Sequence, residues 1–206
     1  MKTVAVIDFK TTGSSPDKGD RPIEVAVVVL KQSQVMDRYH SLMNAEVPIP
    51  EAIQSITGIT EALVREAPSA KQVMKAVAKL IDPLPLGAHN ASFDCRFLDA
   101  EWHRIRHVRQ HACACSMLLS RRLYPDAPDH KLGTLGKYLG LPIPTGHQTA
   151  LTDAEMTAQL FARIAADLKR DYRLRRVPHA LLCRVQTASK AQFAEAVMLA
   201  KQELGL

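Results

Sequence analysis

A mixed β-sheet covered by helices is the fold this sequence predicts. Three observations predict it. Strand-like runs lead the chain. Short strands then alternate with segments of helical apolar spacing. Hydrophobic residues make up 47% of the 206 positions and charged residues 23%, enough for one sizeable core. Strands followed by strand–helix alternation place a sheet between helical layers.

Thr3 to Phe9 reads as a buried strand, Pro22 to Leu30 (PIEVAVVVL) as a second, and Val35 to Met43 as a third. The turn between the first two is Gly13 to Arg21, where Gly, Ser, Pro and Asp cluster. The three strands form an antiparallel meander. A Pro-punctuated stretch, NAEVPIPEAIQSITGIT, follows. Ser69 to Ile81 carries Val73, Ala76, Val77, Leu80 and Ile81 at helical spacing, and Ser69 with Gln72 makes a capping box. Leu84 to His89 is a short strand. Asn90 to about Arg106 is a helix with Phe93, Phe97 and Leu98 on one side. Gln110 to Cys115 is a strand, and Ser116 to Tyr124 and Lys131 to Leu139 are short helices. Leu151 to about Lys169 is a long helix, with Met156, Leu160, Ile164 and Leu168 spaced by four.

The best boundary is RDYRLRRVP, Arg170 to Pro178, which divides a main domain, residues 1–168, from a helical C-terminal extension, 169–206. Pro178 fits a first helical turn, and Ser189 to Gln192 is a capping box for a second helix along which Phe193, Ala196, Val197 and Ala200 share a face. This helical pair either packs on the main domain or offers a surface to nucleic acid or a protein partner.

The net charge is +6 with a pI near 9.3, a balance that suits a polyanionic partner. From Asp167 onward eight Lys/Arg face four Asp/Glu, so that segment carries +4 of the excess. No apolar run approaches the roughly 20 residues that span a bilayer, and the N-terminus shows no signal-peptide pattern. A cytoplasmic protein with no membrane partner is expected. The four cysteines include no C-x-x-C pair, so a disulfide framework is not expected. HACAC, residues 111–115, reads as a short buried strand of small residues, with a His-x-Cys-x-Cys zinc cluster as the alternative.

Three aspartates stand in informative contexts: Asp8 in VAVIDFKTTG, Asp94 in GAHNASFDCRFL and Asp153 in GHQTALTDAEMTAQLF. On a strand, residues i and i+2 face the same way, so position 10 shares the face of Asp8. Two divalent ions about 3.5–4 Å apart can activate a water and stabilise the leaving oxygen of a phosphodiester. Such a pair needs around four carboxylates, because hard cations take oxygen ligands. A nearby histidine can take the proton of the attacking water.

In this order the contexts resemble the DEDD 3′–5′ exonucleases, a superfamily that includes the proofreading subunit of bacterial replicative polymerases and exonuclease X. The family pattern D-x-E-T-T-G meets D-F-K-T-T-G at Asp8 to Gly13, followed by I-E-V-A at Ile23 to Ala26. H-N-A-x-F-D-x-x-F-L is matched from His89 to Leu98. H-x-A-L-x-D-A aligns with Gln148 to Ala154, with Gln148 at the histidine position. Between them, His130, Leu132 and Leu135 resemble an H-x-L-x-x-L helix. The resemblance covers about Lys2 to Leu168.

It implies a five-stranded mixed sheet of ribonuclease H type with flanking helices. It also implies metal-dependent phosphodiester hydrolysis at nucleic-acid 3′ ends, single-stranded ones above all. Asp8, Asp94 and Asp153 would be ligands for Mg or Mn. Thr11 and Thr12 would lie by the terminal nucleotide, and His89, Asn90 and Phe93 would line the substrate cleft. Packing gives two of these another use: Asn90 can cap the helix it precedes, and Phe93 can be core. Arg96, Arg104 and Arg106 are candidates for basic cleft walls, or else a solvated helix face.

Two positions depart from the pattern. Lys10 puts an ammonium where the family has a carboxylate. Two unit charges 4 Å apart interact by about 4 kcal/mol at an effective dielectric of 20, so a second divalent ion beside Lys10 is repelled strongly and one ion at most is expected. Lys10 either sits in a metal position, bound to the aspartates, or snorkels out of the pocket. Gln148 has no accessible pKa and cannot act as a base. Neighbouring His147 either slides into that role or is an exposed loop residue. No other carboxylate rescues the site: Glu155 follows Asp153 by two on a helix, about 200° away, and Glu24 is a residue the family already has. The expectation is an exonuclease-family protein of impaired activity, with an inert nucleic-acid-binding or protein-interaction module of the same fold as the alternative.

Overall fold

The leading run forms β1 (Thr3–Thr11), and its alternation divides the core in two. Val4 and Val6 belong to one apolar cluster, and Ala5, Ile7 and Phe9 to the other. The computed structural model describes residues 3–143 and 148–206. β2 (Pro22–Lys31) pairs antiparallel with β1, and β3 (Gln34–Leu42) antiparallel with β2. Two short strands, β4 (Leu86–Ala88) and β5 (Cys113–Cys115), run parallel on the other side, giving the order β3-β2-β1-β4-β5. HACAC thus ends in a strand.

Helices cover both faces. β2 is buried along nearly all its length, which explains why PIEVAVVVL reads as a continuous apolar run rather than an alternating one. On one face lie α3 (Ala70–Ile81), opened by the expected Ser69–Gln72 capping box, and α4 (Ala91–Arg104). On the other lie α5 (Ser116–Leu123), α6 (Leu132–Tyr138) and the 23-residue α7 (Ala150–Tyr172). Met156, Leu160, Ile164 and Leu168 are all buried, as their spacing predicts. Where α7 crosses β4, a Cβ on Gly87 would meet the Phe161 ring at 2.7 Å, so only glycine permits this approach.

Two helices absent from the sequence reading follow β3: α1 (Glu51–Thr57) lies within the Pro-punctuated stretch and α2 (Glu61–Arg65) directly after it. Each is too short to develop an apolar stripe. α7 continues past Lys169 to Tyr172. The last helices, α8 (His179–Val185) and α9 (Phe193–Leu204), add Leu181, Leu182, Val185, Phe193 and Val197 to the cluster beneath α7. The C-terminal helices therefore share the main core. Ser189 Oγ accepts the Gln192 N–H at 3.2 Å, but this box closes a turn just ahead of α9 rather than capping it. Among the described residues no helix is long and apolar enough to cross a membrane.

Candidate active site

β1 outruns its pairing with β4, and the carboxyl ends of these parallel strands open a crevice, the usual place for ligands in such sheets. Asp8 and Lys10 continue the parity of Val4 and Val6 and so point towards the α7 side. Thr149 fixes the start of α7: its hydroxyl accepts the Thr152 N–H at 3.2 Å, and the Thr152 hydroxyl accepts the Thr149 N–H at 3.0 Å. Glu24 ties this start to the sheet. It is 2% exposed, accepts the Ala150 N–H at 3.0 Å and meets His40 Nε2 at 2.6 Å. Asp153 thereby stands in the first turn of α7, where the helix dipole favours an anion.

Lys10 reaches both carboxylates. Its Nζ donates to Asp8 Oδ2 at 2.9 Å and to Asp153 Oδ2 at 2.6 Å. The three side chains are 16–17% exposed, so the bridge is partly shielded from water. Asp94, in the first turn of α4, comes from the other face; it is 3% exposed and accepts the Phe9 N–H at 3.0 Å. All three aspartates meet at the carboxyl end of β1.

Burial pushes the Asp8 carboxyl up to about 7; Lys10 pulls it down and Asp153 raises it again. Asp94 is also raised, by burial and then by Asp8. Burial works against the Lys10 charge, but Asp8 and Asp153 outweigh it and hold the ammonium above its usual range. A carboxyl raised in the fold contributes stability that is present below its unfolded pKa near 3.8 and lost as pH rises through about 7. Asp8→Asn should remove that loss. In urea titrations, wild-type stability should fall relative to Asp8→Asn between about pH 4 and 7, and parallel curves would contradict the Asp8 shift.

The family resemblance implies a divalent ion shared by these aspartates. The donors do not fit one as they stand. Asp8 and Asp153 each give an oxygen to the Lys10 ammonium, which lies where a shared cation would have to bind them. Asp94 gives one oxygen to the backbone. Among the described residues no group of three or more His, Cys, Asp or Glu is arranged to hold a metal. Glu155 pairs with Arg38 on β3, away from the crevice.

The other expected residues divide. Asn90 precedes α4 in a left-handed conformation (φ 61°) without a side-chain cap bond, and its side chain is exposed. It is therefore not a side-chain cap. Phe93 is half-buried against Phe97, with ring centroids 5.0 Å apart. His89 is a positioning group in this arrangement: Nδ1 meets Ser116 Oγ at 2.9 Å and Nε2 meets the His130 carbonyl at 3.0 Å. Burial lowers its pKa. The threonine hydroxyls serve their own loop. Thr11 donates to the Gly13 carbonyl at 2.6 Å, and Thr12 accepts the Arg21 N–H at 3.0 Å. Gln148 is exposed, just outside the α7 cap. His147 lies outside the described residues.

Of the two readings of Arg96, Arg104 and Arg106, the contacts of Arg96 and Arg104 suit the solvated helix face. Arg104 stands ten residues after Asp94, about 15 Å along a helix, and pairs with Glu101. Arg106 follows the end of α4 in a left-handed turn (φ 59°). Arg96 follows Asp94 by two, on another face, and bonds back to the Ser92 carbonyl. Arg96 and Arg104 lie on the solvated side of α4. A basic residue that the sequence reading missed is nearer: Arg121 on α5 is exposed and close enough to His89 to lower its pKa. Arg21 was missed too. Its guanidinium clasps Glu101 through Nε at 2.5 Å and Nη2 at 2.9 Å, tying the Thr12–Arg21 loop to α4.

Sheet order, flanking helices and the acidic crevice define a ribonuclease H-like fold. Exonuclease X in complex with 5′ overhanging duplex DNA shares that fold, with a TM-score of 0.65 at 24% identity over 94% of this chain and 99% of that one. The chain belongs to the RNase T exonuclease family, whose model matches residues 5–161. It is 33% identical over 168 residues to the PolC-type DNA polymerase III of Bacillus subtilis (strain 168), covering 81% of this chain and 12% of that protein. It is 34% identical over 168 residues to the 3′-5′ exonuclease DinG of the same organism, covering 80% and 18%. The chain spans less than a quarter of the length of these two relatives.

Proposed function

We propose that this chain is an exonuclease-family module that receives nucleic-acid 3′ ends, preferentially single-stranded, in the crevice beside Asp8, with phosphodiester hydrolysis strongly impaired. The Lys10 bridge between Asp8 and Asp153 carries this reading. The ammonium neutralises part of the acidic cluster, so a phosphodiester meets less repulsion there without any metal. The same ammonium opposes a divalent ion, and Mg or Mn enters only where Lys10 gives way. Gln148 supplies no base. Family membership, the +6 charge and the exposed Asn90 support end binding. Four free cysteines suit the reducing cytoplasm.

Fluorescence anisotropy with a labelled single strand tests the binding. Affinity should persist in EDTA, fall linearly with log salt as counterions are released, and exceed that for a circular strand of equal length. Binding that requires a divalent ion, or none at low salt, contradicts the proposal; the second outcome leaves a protein-interaction module.

A further inference from the structure

The basic run after α7 takes no part in the crevice, and it borders a pocket of its own. The pocket encloses about 480 Å³, within the roughly 300–1,000 Å³ typical of small-molecule sites. It lies at the opposite end of β1 from the catalytic-type residues: Thr3 lines it, five residues before Asp8, a separation of roughly 16 Å along a strand.

Two cations face it. Lys169 lies in the last turn of α7 and Arg176 in the link to α8; both are exposed, and among the described residues neither side chain makes an ion pair or a hydrogen bond. Of the nearby cations outside the lining, Arg170 pairs with Asp167 and Asp171, Arg175 donates to the Gly205 carbonyl and Arg184 pairs with Glu203, while Arg173 does not line the pocket. Lys169 and Arg176 are thus the cations of this wall left for a ligand.

The opposite rim is a turn that departs from ordinary hairpin chemistry. Gln32 and Ser33 join β2 to β3 with φ of 51° and 69°. Such turns favour Asn-Gly, and a non-glycine residue held at positive φ is strained. The strained pair places two polar side chains on the pocket edge. Val177 and Pro178 supply apolar wall. His179 is fixed beside them, its Nε2 donating to the Leu86 carbonyl at 2.7 Å, so this wall is anchored to β4.

From the two unpaired cations, the polar strained rim and the enclosed volume, we propose that this pocket is a second binding site, for a phosphate group. Its size admits a free nucleotide, and its openness to the surface equally admits a backbone phosphate of a strand held elsewhere on the protein. The site does not depend on the reading of the crevice.

Two ligands separate the sources. Calorimetric titration of the full chain with ADP reports the free nucleotide. Titration with a circular single-stranded oligonucleotide, which has no 3′ end for the crevice, reports the strand. Lys169→Gln with Arg176→Gln should weaken one of the two by about tenfold or more, since charged hydrogen bonds to the ligand are lost. Lys71→Gln with Lys75→Gln, on exposed positions of α3, removes the same charge elsewhere and should leave that affinity within about twofold. Equal losses in the two double variants would reduce the effect to general charge and overturn the proposal. So would wild-type affinities for both ligands that the Lys169/Arg176 change leaves untouched, or the absence of any binding by the wild type.

Discussion

Lys10→Glu combined with Gln148→His should raise manganese-dependent 3′–5′ exonuclease activity by orders of magnitude. The first change removes the ammonium from between Asp8 and Asp153 and puts a carboxylate in its place. The second supplies a base at the mouth of α7, a contribution typically about 10²–10⁴-fold. The gains should not add, because a base does little without a bound, activated water. Gln148→His alone should therefore change little. Asp8→Asn in the double variant should abolish the gain. The rate of release of 3′-terminal nucleotides from a labelled strand measures all four proteins. If the wild type cuts as fast as the double variant, Lys10 is no obstacle, and His147→Ala becomes the informative change. If neither cuts while both stay folded, the crevice has diverged beyond these positions and only binding remains.

Arg21→Ala should cost about 3–5 kcal/mol of stability, as breaking one side of a buried ion pair generally does. Glu101 is 3% exposed and both its oxygens are held by Arg21, so it would keep only the longer Arg104 contact at 3.5 Å from a half-exposed side chain. The Ala45 carbonyl would also lose its donor. Adding Glu101→Gln should restore part of the loss, since the residual group is then neutral. Urea denaturation checks both. A cost below about 1 kcal/mol for Arg21→Ala would mean that water reaches Glu101 and that the pair behaves like a surface bridge.

The two predictions draw on different amounts of sequence information. Asp8, Asp94 and Asp153 stood out because each sits in a local pattern, and strand parity already placed Lys10 on the face of Asp8. The direction of the Lys10 ammonium was not legible: four flexible carbons can carry it out to water or inward, and the choice depends on Asp153, 143 residues away. Glu24 was seen only as a conserved-type letter in the pattern, while its work is to hold the Ala150 N–H across 126 residues. Arg21 and Glu101 lie 80 residues apart and carry no shared motif. The meander, α3, α4 and α7 were legible because their periodicities run over several turns or strands. α1 and α2 were not, since seven and five residues cannot show a stripe. The two readings of the α4 arginines could not be told apart from the sequence, because proximity of Arg96 and Arg104 to Asp94 in sequence becomes a separate face, or a distance of nearly three turns, once α4 forms.

In the proposed reading the position of Lys10 separates an impaired binder from a working nuclease, and manganese binding measures it most directly. A ligand that binds only the folded state raises the melting temperature, by an amount that grows with the logarithm of its concentration over Kd. Thermal unfolding in EDTA and in rising Mn²⁺, with calorimetric titration alongside, should show no specific binding and an unchanged melting temperature for the wild type. Lys10→Glu should melt lower in EDTA, where its carboxylates repel, and recover as Mn²⁺ is added. A wild type that binds Mn²⁺ as tightly as Lys10→Glu and is stabilised by it would place the ammonium outside the site and contradict the bridge as the cause of impairment.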